Sequence, residues 1–168
     1  PRDVSADGYS ETPTWKLSDV VNADTGFSTR TVLTSSGGRG NSFETVYKDR
    51  TTFARTGSTT AQREASNNDT LRWLLGVRAK EDGIAYRKRK LSPIGDIVNS
   101  SPVYVNDNAY LFVGANDGML HAINSANGKV AFSYVPAGLD FNAWRDLSAP
   151  VYGHKFFVDG QIGFSKKT

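Results

Sequence analysis

The chain has no cysteine, so neither a disulfide framework nor a thiolate metal site can be built from it. That absence leaves the compartment open, because many periplasmic and surface domains also lack cysteine. No run approaches the roughly 18 consecutive apolar residues of a membrane-spanning helix. Charge of one sign is also scarce: 20 Lys and Arg against 17 Asp and Glu leave a formal net charge of +3. Arg87-Lys88-Arg89-Lys90 is the one dense basic run. A nucleic-acid reader would carry a larger basic excess and a recognisable module, so no nucleic-acid partner is expected. The run reads as solvated charge on or beside a strand. No secretory leader pattern is visible, and the chain begins at Pro1 rather than Met, which reads as a processed or partial polypeptide.

What is present is a recurrence. Ser100-Ser101-Pro102-Val103-Tyr104 is echoed by Ser148-Ala149-Pro150-Val151-Tyr152 about 48 residues later. Each copy leads into an apolar run closed by Asp-Gly, Leu111 to Gly118 and Phe156 to Gly160. A second echo joins Leu17 to Gly26, followed by Thr29 to Leu33, with Met119 to Gly128, followed by Val130 to Val135. Both members of that pair read as strand, tight turn, strand. Asn127-Gly128 supplies the positive φ of a primed hairpin turn, and Thr25-Gly26 suits a slightly longer one.

A period of 40–50 residues among short strands is the pattern of propeller blades. The best blade takes Pro102 to Val105 and Tyr110 to Gly114 as its first two strands, with Asn106-Asp107-Asn108 turning between them. Met119 to Asn124 and Val130 to Val135 supply the third and fourth. The expected fold is all-β, an incomplete propeller of three to four four-stranded antiparallel blades with a short helical insertion. Residues 1–168 read as part of one such domain. A closed ring at about 45 residues a blade needs roughly 270–360 residues, so further blades are expected from the same longer polypeptide or from another chain.

Residues 34–70 stand apart as a loop-rich insertion. Gly37-Gly38-Arg39-Gly40 is a flexible loop by composition, Thr45 to Phe53 reads as a strand, and Ser58 to Asp69 as an exposed polar stretch. Asp69 is placed as the cap of a short helix through Leu75, stopped by Gly76. Asp140 is placed as the cap of a helical turn with apolar residues at Phe141, Trp144 and Leu147.

At this point the motifs resemble a family. Gly95-Asp96-Ile97-Val98-Asn99-Ser100-Ser101-Pro102-Val103 is followed by Phe112-Val113-Gly114-Ala115-Asn116-Asp117-Gly118-Met119-Leu120-His121-Ala122. Then come Tyr134-Val135-Pro136 and Pro150-Val151-Tyr152-Gly153-His154 through Asp159-Gly160. In that order they resemble the C-terminal β-propeller of PilC/PilY-type type IV pilus tip proteins, over about residues 71–160. The resemblance implies a secreted Gram-negative protein at the pilus tip or outer membrane surface, reached through the periplasm and at most peripherally membrane-associated. It implies a role in pilus assembly, in twitching motility and in adhesion. The implied partners are pilins or minor pilins and host-cell surface receptors. It also implies a calcium loop in the full-length family. Asn22 to Gly26 is too short for one and lacks a trailing carboxylate, so such a loop is expected outside this chain.

No catalytic constellation stands out, and no enzyme activity is expected. Asn116, Asp117 and Gly118 form the family-signature turn, where Asn and Asp tolerate left-handed geometry and Gly favours it. His121 and His154 lack the companions of a zinc site and read as structural. No Gly-x-Ser-x-Gly elbow accompanies the serines. Phe141 and Trp144 lie in a loop and are the candidates for a partner-binding patch. The alternatives are a quinoprotein-like propeller enzyme, whose pyrroloquinoline quinone would need a closed ring and a calcium site, and a periplasmic scaffold propeller.

Overall fold

The computed structural model describes residues 2–5, 8–23, 26–106 and 109–165. The turn centred on Asp107-Asn108 and the position of Thr25 lie outside them. Strands β1 (Arg2–Ser5) and β2 (Gly8–Pro13) form an antiparallel pair of their own. The main sheet has six strands, β3 (Thr31–Ser36), β4 (Arg39–Ser42), β5 (Val103–Val105), β6 (Tyr110–Ala115), β7 (Met119–Asn124) and β8 (Val130–Val135). Their spatial order is β4-β3-β8-β7-β6-β5. Among the described residues four α-helices accompany it: α1 (Leu17–Ala23), α2 (Phe43–Tyr47), α3 (Thr60–Leu74) and α4 (Phe141–Arg145).

The β5 to β8 meander is the blade that the repeat grammar predicts. Each strand pairs antiparallel with the next, through Val103↔Phe112, Val113↔His121 and Leu120↔Tyr134. The β6 run Leu-Phe-Val-Gly-Ala becomes fully buried from Val113 onward, as a continuous apolar stretch should. Gly128 turns the chain between β7 and β8 at φ +73, with the Trp15 indole packed against it. The sheet does not close on itself, so the architecture is an incomplete, propeller-like arrangement of strands.

Other expectations are corrected. The described residues contain one four-stranded meander rather than three or four. The segment aligned with β7 is not a strand: Leu17–Ala23 is helix α1, because Leu17, Val20 and Val21 recur at helical spacing and turn inward while Ser18, Asp19 and Asn22 face solvent. The segment aligned with β8 is strand β3, but it does not sit in another blade. It lies beside β8 in the same sheet, paired parallel through Val32↔Ser133 and Leu33↔Tyr134. Thr45 to Phe53 is not a strand either. Phe43 and Tyr47, one helical turn apart on α2, stack at 4.5 Å and the chain then turns to bury Phe53.

Helix α3 begins at Thr60, ten residues earlier than the sequence suggests. Thr59, not Asp69, is its cap, in a reciprocal capping box with Gln62. The signal was hidden because the buried residues ahead of Leu71, namely Ser66, Asn67 and Thr70, are polar. Asn67 accepts from the Phe53 amide (2.8 Å) and donates to the Tyr47 carbonyl (3.0 Å). Ser66 Oγ accepts from the amides of Arg55 (3.0 Å) and Thr56 (3.1 Å). These side chains pair with backbone groups of the loop around the buried Phe53, which is why they face inward.

The second copy of the opening motif, residues 148–160, forms no strand. It crosses the sheet instead. Asp159 accepts from the amides of Val98 (3.2 Å) and Asn99 (2.9 Å), tying this copy to the start of the first. A Cβ on Gly114 would lie 2.5 Å from the Val158 carbonyl oxygen, so β6 can accept this crossing only with glycine there.

Two apolar clusters flank the sheet. One gathers Val32, Phe43, Phe53, Trp73, Met119, Val135, Trp144 and neighbours, and the other Val21, Phe27, Ile94, Val113, Ile123 and Val130. No helix among the described residues is long and apolar enough to cross a membrane.

Candidate functional site

The signature turn sits at the end of β6 with its polar atoms largely committed. Asn116 is buried and Asp117 nearly so. Asp117 accepts from the Gly95 amide (3.0 Å) and the Met119 amide (3.1 Å). Gly118 adopts φ +88 and packs against the Trp144 indole, whose Nε1 donates to the Asp117 carbonyl (2.5 Å).

Behind the turn runs a buried polar chain that sequence reading missed. Arg30 Nε donates to Ser133 Oγ (2.7 Å), Ser133 meets His121 Nδ1 at 2.8 Å, and His121 Nε2 meets Asp117 Oδ2 at 3.0 Å. Each member of the chain has a hydrogen-bond partner, with Nε2–H donating to the carboxylate. Burial alone would push the Asp117 carboxyl up. The charge and hydrogen bond of His121, the Gly95 amide and the Arg30 charge outweigh it and hold the carboxyl below the usual range. Burial brings the Arg30 guanidinium down to about 10. Its Nη1 donates to the carbonyls of Phe27 (2.8 Å) and Leu75 (2.7 Å), and its Nη2 to Met119 Sδ (3.3 Å). Ser, His and Asp in series suggest a nucleophilic triad, but Ser133 and His121 are both 0% exposed. A nucleophile needs a path to its substrate, so this chain serves to lock β3, β7 and β8 together. A His at i+4 from an Asp was legible in the sequence; the Arg30 and Ser133 partners come from distant parts of the chain and were not.

In front of the turn lies a cleft of about 710 Å³. Its walls are the strap from Arg87 to Asp96, the Asn116-Asp117 turn, and the loop carrying Tyr152 and His154. The basic run lines it, and its charges are not all solvated. Arg89 is buried against Glu81 (2.5 Å) and lies 4.1 Å over the Trp73 ring, donating also to the carbonyls of Trp73 and Val77. Arg87 is half-buried between Trp73 and Tyr152, and only Lys88 and Lys90 stand exposed. Across the cleft Asp96 accepts from His154 Nε2 (2.7 Å). No group of three or more His, Cys, Asp or Glu among the described residues is placed to hold a metal ion.

Of the expected partner patch at Phe141 and Trp144, Trp144 is buried and Phe141 half-buried. Asp140 caps α4 as foreseen, accepting from the amides of Asn142 and Ala143. That helix turns Trp144 fully inward and leaves Phe141 half-buried. With Phe43, Tyr47 and Phe53 they form one aromatic cluster, ring centroids 4.5–6.2 Å apart. The apolar spacing at 141, 144 and 147 was a packing face, because the α2 region, invisible as a partner in sequence, covers it.

The chain is 32% identical over 120 residues to a type IV pilus biogenesis factor PilY1 homolog of Xylella fastidiosa, covering 55% of this chain and 10% of that protein. It is 32% identical over 127 residues to the type IV pilus biogenesis factor PilY1 of Pseudomonas aeruginosa strain PAK, covering 58% and 11%. The resemblance is of PilY1 type. These identities support that identification for the matched stretch, and with it the pilus-protein resemblance first read from the motifs. The PilY1-like chain spans about a tenth of the length of these relatives. No family model and no solved structure matches it.

Proposed function

We propose that the chain is a module of a type IV pilus biogenesis factor that works by binding, outside the cytoplasm, to pilus components. The observation that carries this reading is the 32% identity over 127 residues with a protein named for that role. The fold suits it. A sheet locked by the Arg30–Asp117 chain and by two apolar clusters is a rigid base for loops, and loops on a rigid base are the usual carriers of recognition. The open cleft beside the signature turn is the surface such a base would present. Adhesion to host receptors would belong to the same module only if those loops reach the cell surface.

The test is a chimera. The matching stretch of Pseudomonas aeruginosa PilY1 is replaced by this chain, and surface pili and twitching are scored in a strain lacking its own copy. Restored pili support the reading. A chimera that is stable and exported but leaves the cells without pili sinks it.

A further inference from the structure

Arg87 is a half-buried cation held in place without an acid. Its amide donates to the Ser148 carbonyl (2.9 Å) and its Nε to the Leu147 carbonyl (2.8 Å). Its guanidinium lies 5.2 Å from the Trp73 ring centroid and 4.5 Å from that of Tyr152. Burial lowers its pKa, while Tyr152, Glu81 and Asp96 pull the other way, and an arginine keeps its charge throughout. Among the described residues no carboxylate forms an ion pair with it, and neither Nη has a hydrogen-bond partner. Among the described residues no buried side-chain nitrogen or oxygen is left unsatisfied. The two Nη groups are therefore open to the cleft that Arg87 lines.

The rest of the cleft is biased the same way. Lys88 and Lys90 line it, are exposed, and make no ion pair among the described residues. Of the two acids that line it, Asp96 at the end of the same strap accepts from His154 and Asn116, and Asp117 on the turn accepts from His121 and two amides. A guanidinium whose stem is immobilised by a carbonyl and two rings presents its fork for a planar two-oxygen partner without further ordering cost. Three free cations, Arg87, Lys88 and Lys90, lie within four consecutive residues of the strap and all line the cleft. That spacing suits charges repeated along a chain better than a single small ion, and about 710 Å³ accommodates side chains of a peptide.

The geometry points to this cleft as the docking site of an acidic segment of a partner polypeptide, with one carboxylate held by both Nη groups of Arg87 and the next by Lys88 and Lys90. The inference stands on the cleft alone and does not depend on the pilus reading.

Binding to the 168-residue chain is measured by tryptophan fluorescence and calorimetry. The probes are an end-blocked hexaglutamate peptide, an end-blocked hexalysine peptide and inorganic phosphate, each at about 50 and about 200 mM salt. Hexaglutamate is expected to bind, more weakly at the higher salt, while hexalysine does not. Arg87→Lys keeps the charge but loses the fork, and should weaken hexaglutamate about tenfold. Lys88→Gln and Lys90→Gln should each weaken it about twofold to threefold with an unchanged melting temperature. If Arg87→Lys lowers the melting temperature, the Lys88→Gln/Lys90→Gln double variant decides. The inference is overturned if hexaglutamate does not bind, if the variants bind it as tightly as the parent chain, or if phosphate displaces it at equal concentration.

Discussion

Asp117→Asn is the sharpest probe of the buried chain beneath the signature turn. The carboxylate accepts from two backbone amides and from His121, at 3.0–3.2 Å. Asparagine is nearly isosteric, so no cavity opens, but it has a single acceptor oxygen. Its NH₂ would face a donor, either the Gly95 amide or His121. One or two charge-assisted hydrogen bonds are lost, each worth about 1.5–3 kcal/mol, and the Arg30 cation loses a nearby counter-charge. We expect the unfolding free energy at neutral pH to fall by about 3 kcal/mol. The pH dependence has a definite sign. The folded carboxyl is held below its ordinary value, so its contribution is complete above the unfolded pKa of about 3.9 and is lost as pH falls through the lower, folded value. The gap between parent and variant should therefore be constant from pH 7 down to about pH 5 and close below about pH 4. Urea unfolding followed by tryptophan fluorescence, stepped through pH, measures it. A gap under about 0.5 kcal/mol, or one that persists undiminished at the acid end, would refute the coupling described here.

Three further outcomes follow from the packing. Trp144→Ala should cost about 3–5 kcal/mol in urea unfolding, and Phe141→Ala, half-exposed, rather less; an unchanged midpoint for Trp144→Ala would return it to the surface. Gly114→Ala should cost about 1–3 kcal/mol, because its Cβ would meet the Val158 carbonyl at 2.5 Å, and the melting temperature should fall accordingly; no change would mean that residues 156–160 do not cross β6. Asp159→Ala should speed hydrogen exchange at the Val98 and Asn99 amides while leaving β7 protected. The same carboxyl is held low by the Asn99 amide, so in the parent chain that protection should fade only as pH drops below about 4.

The legible part of the fold was local. Strands β5 to β8 could be bounded from their apolar runs and Asn/Asp-Gly turns, and α4 from Asp140 and its i, i+3 spacing, because each signal lies within a dozen residues of the structure it specifies. The echo between residues 17–33 and 119–135 misled for the same reason. Similar letters carry no information about which neighbour completes them, and one half became a helix while the other became the strand next to its supposed equivalent. The earlier part of helix α3 was hidden because its inward residues Ser66, Asn67 and Thr70 are polar, and polar residues point inward only when a particular loop needs their hydrogen bonds.

The candidate sites divide along the same line. The type of turn at Asn116-Asp117-Gly118 and the PilY1-type resemblance were present in the order of the residues. Whether a side chain is buried, paired or free was not. Trp144 looked like a loop aromatic until the α2 region covered it. Arg87 and Arg89 looked alike until Glu81 took one and left the other between two rings. Short-range chemistry determines turns, caps and strand periods; only the folded chain brings together groups such as Arg30 and Ser133, 103 residues apart, and so decides which charges are spent on the structure and which remain for a partner.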